Sequence, residues 1–325
     1  MKVAFAGSFA PRLAEPVKAR LALPCEIVVG DENAIVAQLA DVDVLVSMGF
    51  TAAMAAAAPQ LRLLQVAGAG LDRIDRAALR PGTRLANVYG HEVGIAEYVI
   101  GAMIALTRSF VRLDAGLRRG EWLSQWAIGA PPTPLWPELA GKTLGILGFG
   151  RIGQALARRA AAFDMRIVAM RSAPQALPPE GVSFVGGPER LDEILAQSDY
   201  LAVTLSLSPE TRKLLDAPRL AVMKSSAFVI NVARGEIFDE AALYDALASG
   251  RLAGAALDVW HRYPNSAAPT LPASLPFHEL ASVLMTPHVS GWTEGMIEAR
   301  SHVIAENIAR TARGEPPLNA IDLAG

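Results

Sequence analysis

The chain holds 325 residues with a formal net charge of −2, and 52% of it is hydrophobic against 19% charged. That excludes a disordered chain and exceeds the usual size of one hydrophobic core, so two domains are expected. No block of Lys or Arg stands out, which leaves a nucleic acid or an anionic membrane without electrostatic support and points to a small neutral or anionic ligand.

The first residues, MKVAFAG, read as a strand and lack the apolar core and cleavage site of a signal peptide, so a soluble, cytoplasmic protein is expected. Strands are predicted at 2–7, 26–30, 42–47, 61–67 and 84–88, alternating with Ala/Leu/Arg-rich helical patterns in the manner of βα units. The single cysteine, Cys25, reads as a packed thiol, and with no Cys/His cluster at ligand spacing no metal is expected. A long helical pattern begins near His91. Its apolar run, Tyr98 to Thr107, stops at Arg108 and is too short to span a membrane. A Trp- and Pro-rich loop, EWLSQWAIGAPPTPLWPEL, follows; its Trp122, Trp126 and Trp136 could line a pocket, form a subunit contact or pack onto their own domain. A second set of strands is predicted at 142–148, 166–170, 182–185, 200–205, 227–233, 255–260 and 283–287. A last helix, roughly Thr293 to Arg313, could cross back to the first domain.

The second set opens on Gly148-Phe149-Gly150-Arg151-Ile152-Gly153, a G-x-G-x-x-G between a strand and a helix, with a further strand completing a βαβ unit. Gly148 permits the tight turn, Gly150 lets the backbone approach a pyrophosphate, and Gly153 lets the helix pack close. The helix start at Arg151 and Ile152 then offers N–H groups and a partial positive charge to phosphates. At the tip of the next strand stand Arg171 and Ser172, where an acidic residue would favour NAD(H). A guanidinium can pair with a 2′-phosphate and the serine adds a donor, so NADP(H) is preferred and NAD(H) remains possible. A solvated arginine in a tolerant NAD site is the plainer alternative, since no second basic residue follows in SAPQALPPEG.

Five further segments come in order: AGAGLDRID (67–75), GIAEYV (94–99), INVARGEIFDE (230–240), GAALDVW (254–260) and MTPHVSG (285–291). Over nearly the whole chain they resemble the D-isomer-specific 2-hydroxyacid dehydrogenases. The resemblance implies an α/β protein of two Rossmann/flavodoxin-like domains, with parallel sheets flanked by helices. It sets a substrate domain at 1–92 plus 292–325, an inserted NAD(P)-binding domain at 93–291, and a homodimer. It also implies an NAD(P)-dependent oxidoreductase acting on the CH–OH group of a small 2-hydroxy acid. Reducing a 2-keto acid needs a hydride donor, a carboxylate clamp and an acid. By resemblance, Arg234 grips the carboxylate, His288 is the acid/base, and the backbone of Ala69 and Gly70 binds the carboxylate. Asp258 contacts the nicotinamide carboxamide, Thr204, Leu205 and Ser206 pass beneath the cofactor, and Val232, Ala233 and Gly291 border it. His91 is a candidate substrate contact.

One position departs from the family. The glutamate that partners the catalytic histidine is replaced by Tyr263, five residues after Asp258, although Glu279 could supply a carboxylate by another route. A phenol should hold imidazolium less than a carboxylate does, so keto-acid reduction is expected to fade at a lower pH than in typical relatives. The overall expectation is an NADP(H)-preferring reductase of a 2-keto acid of the glyoxylate/hydroxypyruvate type, giving the D-2-hydroxy acid. The alternatives are hydride transfer of the formate-dehydrogenase kind, which needs no proton, and a non-catalytic NAD(P)-sensing regulator.

Overall fold

The computed structural model describes residues 1–129, 133–173 and 177–322. Parts of three expectations lie outside the described residues: 130–132 of the Trp- and Pro-rich loop, 174–176 of the stretch after Ser172, and 323–325 at the end of the first domain. The chain divides into two compact units, Met1–His91 with Trp292–Gly325, and Glu92–Gly291.

Unit 1 begins with β1 (Lys2–Ala6), α1 (Ala14–Lys18), β2 (Glu26–Gly30), β3 (Val44–Ser47), α2 (Ala52–Ala57), β4 (Leu63–Val66) and β5 (Arg84–Ala86). Unit 2 contains α3 (Glu92–Thr107), α4 (Phe110–Arg118), β6 (Thr143–Leu147), α5 (Arg151–Ala161), β7 (Arg166–Met170), β8 (Phe184–Gly186), α6 (Leu191–Gln197), β9 (Tyr200–Val203), α7 (Ala217–Val222), β10 (Phe228–Asn231), α8 (Glu240–Ala248), β11 (Gly254–Leu257) and β12 (Val283–Met285). The chain then returns to unit 1 for α9 (Glu294–Arg313) and β13 (Ala320–Ile321).

The sheet of unit 1 runs β13-β5-β4-β3-β1-β2, and that of unit 2 runs β12-β11-β10-β9-β6-β7-β8. All ladders are parallel except β13, which pairs antiparallel with β5 through Ala320 and Ala86. Both sheets are covered on two faces, which explains why strands such as VLVS of β3 and TLGIL of β6 are buried at every residue instead of alternating. In unit 1, Phe5, Val46 and Leu63 pack against Ile304 and Ile308 of α9, while Leu45 and Leu64 meet Ile35, Leu39 and Met54 on the other face. A buried polar pair also fixes α9: Asn307 Nδ2 donates to Gln65 Oε1 at 2.6 Å. In unit 2, α3 contributes Ile95, Val99 and Met103 to a core shared with Leu156 and Ala160 of α5.

Strand order reverses at β6, between β7 and β9, so the crossovers leave on opposite faces, the topology at which open α/β sheets bind ligands at the carboxyl ends of their strands. Several strands end two or three residues earlier than their apolar runs. Thr204–Leu205, Val232–Ala233 and Asp258–Trp260 leave the ladder and form loops that stay packed in the core. The helical pattern after His91 also divides, because Ser109 takes a left-handed φ of 52° between α3 and α4. No single helix among the described residues is long and apolar enough to cross a membrane. Trp122 is 62% and Trp126 84% exposed, so neither is packed away on its own unit.

A Cβ on Gly153 would lie 2.6 Å from the carbonyl oxygen of Gly148 and 3.1 Å from Ile146 Cγ2, whereas one on Gly101 meets nothing within 4 Å. Gly153→Ala is expected to cost about 1–3 kcal/mol, and Gly101→Ala, inside α3, to be neutral or stabilising by up to about 1 kcal/mol. Differential scanning calorimetry of both variants reads the contrast directly; equal effects would contradict the close helix packing.

Candidate functional site

The glycine turn after β6 is held from two sides. The Met170 carbonyl accepts from the N–H groups of Gly148 and Phe149 at 3.1 and 2.8 Å. The Thr204 hydroxyl lies 2.7 Å from the Gly148 carbonyl, to which it donates. Gly148 has a φ of 100°, and a Cβ there would lie 2.8 Å from the Thr204 and Leu205 backbone, so no other residue fits. Gly150 precedes the first turn of α5 as its N-cap and supplies no side-chain hydrogen bond, and the space around it is open. Such a helix start, with Arg151 and Ile152 leading it, fits the pyrophosphate of a dinucleotide. Thr204 therefore has a task that motif reading did not give it: it fastens the turn. Ser206 is exposed, while Val232 and Ala233 are buried in the loop after β10. Beside this turn, the Arg171 N–H donates to the Gly186 carbonyl at 2.9 Å. Arg171 as a residue is half-buried, its guanidinium makes no hydrogen bond or ion pair among the described residues, and Ser172 is exposed next to it.

The second cluster is built on Asp258, which is fully buried. Its Oδ1 accepts from the Thr286 hydroxyl at 2.6 Å and from the Val289 N–H at 2.8 Å, and its Oδ2 from the Ser290 N–H at 2.8 Å. These donors flank His288, whose φ of 58° is left-handed. Such a conformation costs a non-glycine residue about 1–2 kcal/mol, whereas hydrogen bonds to a charged group are worth about 1.5–3 kcal/mol each. Three of them win, and Asp258 fixes the turn that displays His288. The chain of bonds extends further: Tyr98 on α3 lies 2.7 Å from the Thr286 hydroxyl, which already donates to Asp258, so Tyr98 is the donor. Burial raises the Tyr98 pKa. The Trp260 indole N–H donates to the Thr286 carbonyl at 2.8 Å. Besides the nicotinamide contact that the resemblance implies for it, Asp258 thus has a structural role through its three donors.

Tyr263 meets His288: its hydroxyl lies 2.8 Å from Nδ1 and also accepts from the Trp260 N–H at 3.4 Å. Burial raises the Tyr263 pKa, opposed by the Trp260 N–H and the positive charge of Arg234. Glu279 does not take the histidine's side; its carboxylate lies 3.9 Å from the His278 ring, on the short turn at 277–279. A phenol can donate to bare Nδ1 or accept from protonated Nδ1, so it serves both charge states, whereas a carboxylate favours only one.

Arg234 follows β10 in a loop stapled by the buried Asn231. Asn231 Oδ1 accepts from the Ala233 N–H at 3.1 Å and its Nδ2 donates to the Arg234 carbonyl at 2.9 Å. Gly235 allows the loop to touch the Trp260 backbone, where a Cβ would lie 2.4 Å away. Asn231 went unremarked in sequence; an asparagine just past a buried strand is the signal that could have found it. Ala69, Gly70 and His91 lie in unit 1, on the loops after β4 and β5. There Asn87 Nδ2 donates to the Ala69 carbonyl and Arg300 Nη2 donates to His91 Nδ1, both at 3.0 Å.

A family model described as D-isomer specific 2-hydroxyacid dehydrogenase, NAD binding domain, matches residues 100–290. The chain belongs to the D-isomer-specific 2-hydroxyacid dehydrogenase family. It is similar to a D-3-phosphoglycerate dehydrogenase of Methanocaldococcus jannaschii, 35% identical over 271 residues, with 82% of this chain and 48% of the relative covered. It thus spans about half of that relative's length. A glyoxylate reductase of Pyrococcus furiosus is 34% identical over 267 residues, covering 82% of this chain and 77% of the relative. An NADPH-dependent glyoxylate/hydroxypyruvate reductase of Sinorhizobium meliloti, solved with NADP and sulfate, matches with a TM-score of 0.79 at 26% identity, covering 99% of this chain and 98% of that one.

Replacing Tyr263 by Glu puts a negative charge at Nδ1, which favours imidazolium. An NMR titration of the His288 ring should therefore show a pKa about one unit or more higher in Tyr263→Glu than in the wild type. Superimposable titrations would mean that residue 263 does not control the ring.

Proposed function

We propose that the protein reduces a small 2-keto acid, of the glyoxylate or hydroxypyruvate type, to the D-2-hydroxy acid and prefers NADP(H). The observation that carries the reading is the joining of a dinucleotide-type glycine turn with an Arg234–Tyr263–His288 group within one unit. The Tyr263–His288 contact, together with the Arg234 charge that acts on Tyr263, supports this reading.

When bound, the nicotinamide supplies the hydride. The Gly148–Gly153 turn and the start of α5 would hold the dinucleotide's pyrophosphate, and Arg171 with Ser172 would receive a 2′-phosphate. Arg234 pairs with the substrate carboxylate and draws electron density from the carbonyl. His288, its Nδ1 engaged by Tyr263, uses Nε2 to protonate the oxygen as it becomes an alkoxide, and takes that proton back in the oxidative direction. The similarity to glyoxylate reductases supports the substrate class, and a guanidinium with no partner among the described residues supports the cofactor preference.

Steady-state reduction of glyoxylate and hydroxypyruvate with NADPH and NADH, in wild type and Arg171→Ala, tests the reading. The expected result is a preference for NADPH of at least about tenfold, roughly 1.4 kcal/mol, that disappears in the variant. Equal use of the two cofactors, unmoved by the substitution, would make Arg171 a bystander. Tight cofactor binding without turnover of any 2-keto acid would point to a nucleotide-sensing protein instead.

A further inference from the structure

In unit 1 the loop after β4 carries three consecutive peptides whose carbonyls are all engaged. Arg300 Nη1 donates to the Ala67 carbonyl at 3.0 Å, the Val88 N–H to that of Gly68 at 3.1 Å, and Asn87 Nδ2 to that of Ala69 at 3.0 Å. In a planar trans peptide the C=O and the following N–H point in opposite directions. The N–H groups of Gly68, Ala69 and Gly70 are therefore turned away from the groups that hold the carbonyls. Among the described residues none of the three meets an acceptor. Ala69 and Gly70 are only half-buried, so their amides can be reached. Backbone donors held in advance at one place suit an anion, because no reorganisation is needed when the charge arrives.

The residues that hold these carbonyls are themselves held. Arg300, on α9, is 8% exposed, and its Nε donates to the Tyr89 carbonyl at 3.3 Å. Its guanidinium lies over the Phe9 ring at 5.4 Å. Its third arm reaches His91 Nδ1, and because a guanidinium cannot accept, that nitrogen must. The neutral ring of His91 thus carries its proton on Nε2. Asn87 is buried, and flipping its amide would set one oxygen against another at Ala69, so its orientation is settled by that contact. Its Oδ1 has no partner among the described residues.

We propose that Arg300 and Asn87 are positioning residues for the substrate carboxylate. By drawing the carbonyls of Ala67 and Ala69 into unit 1, they fix the loop that presents the amides of Ala69 and Gly70 to the anion, while Arg300 also sets the tautomer of His91. The identity of the anion rests on the proposed reduction of a 2-keto acid; the presence of an anion site does not.

The test uses the full chain saturated with NADPH and titrated with oxalate, a carboxylate that cannot be reduced by hydride transfer. Amide resonances of Gly68, Ala69 and Gly70 are expected to shift on binding. Asn87→Ala and Arg300→Lys should each weaken oxalate at least about tenfold and raise KM for glyoxylate by a similar factor. Their kcat should stay within about threefold and NADPH affinity should be unchanged. Lysine keeps the charge, so a loss in Arg300→Lys reports the geometry of the fork and not the field. Oxalate that fails to bind, that binds without moving those amides, or that binds folded variants as well as wild type overturns the proposal. Should both variants misfold, the wild-type amide shifts decide it. If the amides respond and the variants weaken the anion but no 2-keto acid is turned over, the positioning role stands and the reductase reading falls.

Discussion

The buried carboxylate of Asp258 is the constraint on which the catalytic reading depends. It gathers three donors from the turn around His288 and holds that residue in a left-handed conformation a histidine would not choose. The histidine is exposed; the carboxylate fixes the backbone that displays it, and the Tyr263 hydroxyl meets its ring. Tyr98 and Trp260 then fix Thr286, and the Trp260 backbone reaches the Tyr263 hydroxyl, so one network carries both the acid and its partner. A buried carboxylate of this kind is tolerable because donors reach both of its oxygens.

Each unit places its polar groups just beyond the carboxyl ends of parallel strands. In unit 2 these are the glycine turn after β6, Arg171 after β7, Arg234 after β10, Asp258 after β11 and His288 after β12. In unit 1 they are Ala69–Gly70 after β4 and His91 after β5. The strands supply an apolar, fully buried platform, and the loops are shaped by side chains that no ligand need touch. Asn231 staples the Arg234 loop, Thr204 fastens the glycine turn, and Asn87 with Arg300 holds the loop at 67–70. Substitution of such residues would alter the site through backbone placement, leaving the reacting groups chemically intact.

The alternation of apolar strand and helical patterns made the α/β architecture legible in sequence, and the G-x-G-x-x-G between strand and helix marked the dinucleotide turn. Arg234, His288 and Tyr263 were legible through motif order, and the structure brings the last two into hydrogen-bond contact. Strand ends were less legible, because residues such as Val232, Ala233 and Val259 remain buried after leaving the ladder, and burial, not pairing, is what an apolar pattern reports. The edge strand β13 is two residues long and carries no pattern of its own. The roles of Thr204, Asn231 and Arg300 were illegible for a different reason: each acts on a backbone carbonyl or N–H, and no residue spacing announces such a bond. Asp258 was singled out as a ligand contact; that it also accepts from Thr286, Val289 and Ser290 depends on β11 and β12 lying side by side.

The most direct measurement is single-turnover reduction of glyoxylate by NADPH in Asp258→Asn, paired with NADPH binding and a circular dichroism spectrum. An amide offers a donor where only donors converge, so the His288 turn should lose its place. The account predicts a folded protein that still binds NADPH and is slower by about 100-fold or more, the scale on which a misplacement of about 1 Å is felt. A folded variant that reduces glyoxylate within a few-fold of the wild-type rate would contradict it.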